Sequence, residues 1–270
     1  MQFVKSVASG NDFIILTEEE GRDLSAQDVV ALCRPKYGIS ADGVLLLSFL
    51  GGNRVGMRII NSDGSEAEMC GNGARCAVRF ACERLGTDYV ILQTLAGDVQ
   101  GWYYPDDKRA KVKLTQPKDV SRGISIECSW GRCLVDYIDT GVPHVVVFVE
   151  DIDNEDVFSK GRELRYHPYF QPRGTNVDFV KILDEDRIRV RTYERGVEDE
   201  TLACGTGSVA SAVLSLMRMG KRGDCKIQVL TQGGEVLEVE VRFDEDGSPV
   251  EVFLEGDVRM VFSGETKEIG

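Results

Sequence analysis

The feature that most constrains this chain is a repeat inside it. Laying Cys70 on Cys204 places Glu66 on Glu200, Gly71 on Gly205 and Gly73 on Gly207. Downstream, Thr94-Leu95-Ala96-Gly97-Asp98-Val99 resembles Thr231-Gln232-Gly233-Gly234-Glu235-Val236, and upstream Asn11-Asp12-Phe13 resembles Asn176-Val177-Asp178-Phe179. Three ordered matches predict two homologous halves, and two copies exclude a solenoid, which needs about three stacked units. The 270 residues suit two domains. The expected boundary lies near Gln116-Pro117, giving an N-terminal half 1–116 rejoined by the segment 260–270 and a C-terminal half 117–259.

Short β-rich runs dominate both halves. Val44 to Leu47, Val55 to Ile60, Tyr89 to Thr94, Val145 to Val149, Ile188 to Tyr193 and Glu235 to Val241 have strand composition, with Gly, Asp, Asn or Pro between them. One helix is expected after Ser25, where Asp28 completes a Ser-x-x-Asp cap, running toward Cys33. A second should run from about Asn72 to Leu85 and stop at Gly86, and a third from about Gly205 to Met219 and stop at Gly220. Strands and helices do not alternate, which argues against a parallel Rossmann sheet. The expected class is α+β: two pseudo-symmetric domains, each a mostly antiparallel curled sheet around one central helix.

Each half carries Cys-Gly-x-Gly where a strand passes into a helix: Cys70-Gly71-Asn72-Gly73 and Cys204-Gly205-Thr206-Gly207. Glycines let the backbone turn sharply and approach a ligand. Unpaired N–H groups and the positive dipole end at a helix start suit a carboxylate, and they favour thiolate over thiol. Two such motifs related by duplication predict two thiols facing one substrate. Inverting a stereocentre needs a proton taken from one face and another delivered to the opposite face, which a pair of opposed acid–base groups supplies. Without pyridoxal phosphate, a carbanion at an amino-acid Cα must be stabilised by N–H donors on its carboxylate in a water-poor site. Cys70 and Cys204 are therefore the expected catalytic pair, with no cofactor. Cys33, Cys76, Cys82, Cys128, Cys133 and Cys225 are expected to be small buried hydrophobes. Zinc is not expected: there is no Cys-x-x-Cys, and the six-residue spacing of Cys70, Cys76 and Cys82 turns about 240° per step on a helix.

At these residues the sequence resembles the diaminopimelate epimerases, over essentially its whole length. The blocks that carry the likeness are Asn61-Ser62-Asp63-Gly64-Ser65-Glu66-Ala67-Glu68-Met69-Cys70-Gly71-Asn72-Gly73-Ala74-Arg75-Cys76, Glu194-Arg195-Gly196 with Thr201-Leu202-Ala203-Cys204-Gly205-Thr206-Gly207, Gly10-Asn11-Asp12-Phe13 and Thr175-Asn176-Val177-Asp178-Phe179. The resemblance implies cofactor-independent interconversion of LL- and meso-diaminopimelate by a homodimer, on the route to lysine and peptidoglycan. It implies that Cys70 and Cys204 are acid and base, that the backbone at Gly71-Asn72 and Gly205-Thr206 holds the carboxylate at the reacting carbon, and that Asn61, Asn176 and Arg195 fix the distal end. Asn11 and Glu194 would complete the lining, with His144 and Glu194 tuning the thiols. A guanidinium fork suits a carboxylate, and Arg195 precedes Cys204 by nine residues as Asn61 precedes Cys70. His167 reads as structural. Two positions differ from what relatives carry: Gly141-Val142-Pro143-His144 stands where many have Gly-Asn-Pro-His, and Asp42-Gly43 where some have Asp-Gln, both variants occurring within the family.

Composition bears on partners. Forty-five acidic against thirty-two basic side chains leave a net charge of −13, which repels nucleic-acid phosphates and anionic membranes. No run approaches about eighteen apolar residues and no leader is evident, so a cytoplasmic protein with reduced thiols is expected. Two competing readings remain open at this level. One is a related proline or histidine racemase-like enzyme on the same scaffold; the other is a binding or thiol-redox protein in which Cys70 and Cys204 form a switchable disulfide.

Overall fold

The computed structural model describes residues 1–21 and 24–267. The chain divides into two compact units, Met1–Lys113 with Glu255–Gly270, and Leu114–Leu254. The first holds strands β1 (Gln2–Ala8), β2 (Asn11–Thr17), β3 (Gly43–Gly51), β4 (Arg54–Asn61), β5 (Glu66–Ala67), β6 (Tyr89–Thr94), β7 (Gly97–Tyr104) and β8 (Arg109–Leu114), and helices α1 (Glu18–Gly21), α2 (Ala26–Cys33) and α3 (Gly71–Leu85). The second holds β9 (Lys118–Cys128), β10 (Gly131–Asp139), β11 (Pro143–Phe148), β12 (Asn176–Ile182), β13 (Arg187–Glu194), β14 (Asp199–Thr201), β15 (Asp224–Leu230) and β16 (Val236–Phe243), with α4 (Val157–Tyr166) and α5 (Gly205–Arg218). After β17 (Pro249–Asp257) the chain returns to the first unit, where β18 (Arg259–Glu265) lies antiparallel beside β1.

The two units repeat one plan. In the first, β1 pairs antiparallel with β2, β2 parallel with β3, β3 antiparallel with β4, β4 parallel with β6 and β6 antiparallel with β7. In the second the same alternation runs through β10, β11, β12, β13, β15 and β16. Antiparallel pairing predominates, as expected, and each unit adds two parallel pairs that the sequence did not signal. The parallel pairs arise because a helical crossover precedes β3, β6, β12 and β15, and parallel strands need such a connection.

This plan corrects one of the internal matches. Asn11-Asp12-Phe13 lies at the start of β2, whose counterpart is β11, whereas Asn176 opens β12, the counterpart of β3. Register gives the true equivalence: Phe13 stands opposite Gly43 and His144 opposite Asn176, so Phe13 corresponds to His144, Gly43 to Asn176 and Leu45 to Asp178. A short Asn, Asp, Phe likeness fits many strand openings, and pairing decides between them. The downstream match does join equivalent turns, β6 to β7 and β15 to β16.

Both central helices are surrounded by strands of their own unit, α3 by β1, β2, β3, β4, β6 and β7, and α5 by β10, β11, β12, β13, β15 and β16. Every residue from Gly207 to Leu216 in α5 is buried, so this helix has no polar face. Small residues permit the wrapping: a Cβ on Gly101 of β7 would lie 2.2 Å from Val78 of α3. α3 ends where expected, at Gly86 in the left-handed conformation with φ 65°. α5 ends at Arg218, one residue before the expected Met219, and Gly220 follows at φ 73°. α2 has the predicted capping box between Ser25 and Asp28. Among the described residues no helix is long and apolar enough to cross a membrane.

Candidate active site

In the first unit Cys70 is the N-cap of α3, extended at φ −143° and ψ 119°, and its Sγ accepts from the Gly73 amide at 3.4 Å. The thiol donates toward Asn11 Oδ1 at 3.7 Å. Asn11 is itself anchored, since its Nδ2 donates to Asp42 Oδ2 at 2.6 Å. Asn72 is buried, and its Oδ1 accepts at 2.8 Å from Arg75 Nη2, which also donates to Ser9 Oγ. Asn61 sits at the end of β4 with its Nδ2 donating to Ser65 Oγ at 3.0 Å. At Gly43 the backbone runs close to β4: a Cβ there would lie 2.7 Å from the Ile60 carbonyl oxygen.

In the second unit Cys204 is the N-cap of α5, also extended, but its side chain makes no capping bond. Its Sγ lies 3.4 Å from Thr206 Oγ1. That hydroxyl lies 3.0 Å from His144 Nε2, and His144 Nδ1 lies 2.7 Å from Asp178 Oδ2, both side chains of this pair being 0% exposed. Thr192 Oγ1 donates to the other carboxylate oxygen of Asp178 at 2.7 Å. Gly207 is required beside this group, because a Cβ on it would lie 2.4 Å from Asp178 Oδ1. Glu194 ends β13 and accepts from Thr201 Oγ1 at 3.0 Å.

The expectation that a helix start favours thiolate fails for Cys204. Burial pushes this thiol well above its ordinary value, the nearby Glu194 and Asp178 carboxylates push the same way, and the Thr206 hydroxyl opposes them only in part. Glu194 is raised as well, chiefly by burial. At the 8% exposure of Cys204 the cost of desolvating a thiolate outweighs what the helix start offers it.

Asn176 is buried with both ends of its amide engaged: Oδ1 accepts from the Arg195 amide at 2.8 Å and Nδ2 donates to the Pro143 carbonyl at 3.1 Å. One N–H and one lone pair stay open to a ligand. Arg195 donates through Nη1 to the Arg173 carbonyl at 2.9 Å. Burial, then Arg165 and Arg173, depress the Arg195 guanidinium below its ordinary value. Arg165 pairs with Glu198 and Arg173 with Asp139, while Arg195 has no carboxylate partner among the described residues. His167 Nδ1 accepts from the Tyr169 amide, a local cap.

The six other cysteines are not alike. Cys33, Cys76 and Cys82 are buried as expected, but Cys128, Cys133 and Cys225 are only half-buried. Cys128 stands opposite Gly131 and Cys133 opposite Ile126 in a β9–β10 hairpin that is polar and open on its outer side, and Cys225 lies near the start of β15. Asp178 stands in two of the sequence blocks, yet it received no role from them. Its signal was available, since a carboxylate inside the apolar run Val177-Asp178-Phe179-Val180 has no place in a core without a partner.

Two duplicated units, each a sheet wrapped on a helix that a cysteine caps, form an architecture that solved structures of low sequence identity share. The structure of a probable proline racemase from Agrobacterium radiobacter superposes on 98% of this chain and 92% of its own with a TM-score of 0.73 at 18% identity, a likeness of fold alone. The family model for diaminopimelate epimerase matches residues 3–120 and 136–261. The diaminopimelate epimerase of Aquifex aeolicus is 43% identical over 99% of this chain and 98% of its own, and that of a Hydrogenobaculum species is 40% identical over 98% of each. The chain belongs to the diaminopimelate epimerase family.

Proposed function

We propose that this protein interconverts LL- and meso-diaminopimelate with Cys70 and Cys204 as its acid–base pair and without a cofactor. Membership of the epimerase family makes it an isomerase acting on an amino acid. The observation that carries the two-thiol reading is the equivalence of Cys70 and Cys204, each the N-cap of the one helix at the centre of its unit. In each unit the amides after the cysteine are the unpaired donors of a first helical turn, suited to the carboxylate at the reacting carbon. Gly71-Asn72 and Gly205-Thr206 supply them. Arg195, set among cations and without a carboxylate partner among the described residues, suits the distal carboxylate. Asn61 and Asn176 flank that distal end, with Asn11 and Glu194 completing the polar lining.

Each thiol is base toward one stereoisomer and acid toward the other, so the two exchange roles when the reaction reverses. His144 and Glu194 set the proton affinity of the thiol in their own unit, Cys204. Homodimerisation and a cytoplasmic location complete the proposal. The test is incubation with LL-diaminopimelate in D2O without added cofactor, followed by chiral analysis and mass. Formation of the meso isomer carrying one deuterium at the inverted carbon is expected. Retention of all starting configuration, or a requirement for pyridoxal phosphate or a metal, would refute the mechanism.

A further inference from the structure

The two cysteine-capped helices rest on different foundations. Beneath Cys70 the residues that meet Gly73 are apolar: a Cβ on this glycine would lie 3.1 Å from Leu45 Cδ2 and 3.5 Å from Phe13 Cζ. The equivalent places beneath Cys204 are held by Asp178 and His144. Hydrocarbon fills this position in one unit, so the architecture does not require a buried acid and imidazole in the other. A buried ion-pairing group is costly to desolvate, and a well-packed apolar pair of like size commonly serves stability as well or better. The third member differs too: where the first motif has Asn72, turned to Arg75, the second has Thr206, whose hydroxyl lies between His144 Nε2 and Cys204 Sγ.

We propose that Asp178, His144 and Thr206 form a proton relay serving Cys204 alone, in which Asp178 and Thr206 are positioning residues. The proposal rests on the reading of Cys204 as acid and base. Asp178 Oδ2, accepting from Nδ1–H, fixes the imidazole tautomer and leaves Nε2 as the acceptor. Thr192 holds the carboxylate from its other oxygen, and the missing side chain of Gly207 leaves room for it. With Cys204 as thiol, S–H donates to Thr206 Oγ1 and Thr206 O–H donates to Nε2. When the thiol gives up its proton along the relay, S–H breaks as Thr206 Oγ1 gains that hydrogen, and Thr206 passes its own hydrogen to Nε2. The products are thiolate and imidazolium, with no net proton gained or lost and Asp178 facing the new charge. The reverse transfer restores the thiol. Glu194 is the remaining charged group near the thiol, and as an anion it opposes the thiolate. The relay therefore supplies the stabilisation that burial and the carboxylates deny.

The test reads the two cysteines separately in the whole protein. Iodoacetamide labelling is followed against pH, with peptide mass giving the rate at Cys70 and at Cys204, since only thiolate reacts. Thr206→Val should move the Cys204 midpoint up by about one pH unit, or about tenfold less labelling at a given pH, with the Cys70 midpoint unmoved. Thr206→Ser, keeping the hydroxyl, should restore the Cys204 midpoint. His144→Gln, which leaves Asp178 a hydrogen-bond donor but has no ring nitrogen to take a proton, should also shift the Cys204 midpoint up; it serves if Thr206→Val does not fold. Equal Cys204 midpoints in wild type, Thr206→Val and His144→Gln would overturn the relay, as would a matching shift at Cys70. Failure of the parent reading is distinguishable: Cys204→Ala would then still epimerise, whatever the labelling shows.

Discussion

A cysteine that donates a proton to a substrate and one that fills a core look alike in composition, and position separates them. Cys70 and Cys76 lie six residues apart, yet the first caps α3 and is half-exposed while the second is fully buried, with its thiol pushed up to about 12 by burial. Cys70→Ala and Cys204→Ala should each abolish epimerisation, whereas Cys76→Ala should retain turnover and lose only packing stability. In D2O each inactive variant should still exchange the Cα proton slowly with retention, the two favouring opposite stereoisomers because a different base survives in each. Near wild-type epimerisation by either variant would end the two-thiol reading. Arg195→Lys keeps the charge but not the fork, and kcat/KM for diaminopimelate should fall by about thirtyfold, the equivalent of ~2 kcal/mol. An unchanged value would remove Arg195 from the distal site. The paired cysteines were legible at this scale because duplication displays them twice. Asp178 was not, because it has no acidic counterpart: the equivalent Leu45 is hydrocarbon, and a repeat reveals only what both copies keep.

At the scale of elements, helices bounded by glycine were the most legible. The central helices announce themselves through Cys-Gly-x-Gly at one end and Gly86 or Gly220 at the other, with alanine and small residues between. α4 escaped because Gly161 interrupts it, and a glycine inside a helix lowers its propensity by about 1 kcal/mol relative to alanine. The fold supplies the reason for that glycine, since a Cβ there would lie 2.4 Å from Tyr193 Cβ. The strands were found but their parallel pairings were not, because composition does not say which neighbour a strand will meet. The second glycine of each motif offers a comparison between elements. Gly207→Ala forces a methyl against the fixed Asp178 carboxylate, whereas Gly73→Ala meets the movable end of Leu45 at 3.1 Å. Urea unfolding should show a loss of about 3 kcal/mol for the former and about 1 kcal/mol for the latter. Equal losses would mean that Asp178 can be displaced without consequence.

At the scale of the whole molecule, the thiols make stability depend on alkaline pH. Burial raises Cys33 to about 11 and Cys76 and Cys82 to about 12, and Cys204 rises as well. An unfolded thiol titrates near ~8.5. A raised folded value means that the folded protein holds protons the unfolded chain releases. The contribution is therefore fully present below about pH 8.5 and is lost as pH climbs toward 12. Urea midpoints should fall steadily between about pH 9 and 11, and Cys76→Ala should start lower at neutral pH and decline less steeply. A decline parallel to wild type would show that this thiol does not contribute. The net charge of −13 adds to the same trend by self-repulsion.

The strand beside β1 has a consequence for the order in which the protein can be completed. β18 pairs with β1 from Gln2 opposite Glu265 to Val7 opposite Arg259, yet all of the second unit is translated between them. On the ribosome β1 keeps one edge open until β18 has been made, and an open edge is a template for wrong pairing. The later-made unit is free to finish first. A released chain truncated after Asp257 should accordingly show the second unit resistant to protease and the first still cleavable, and protection of both in that chain would show that β1 does not wait for its partner.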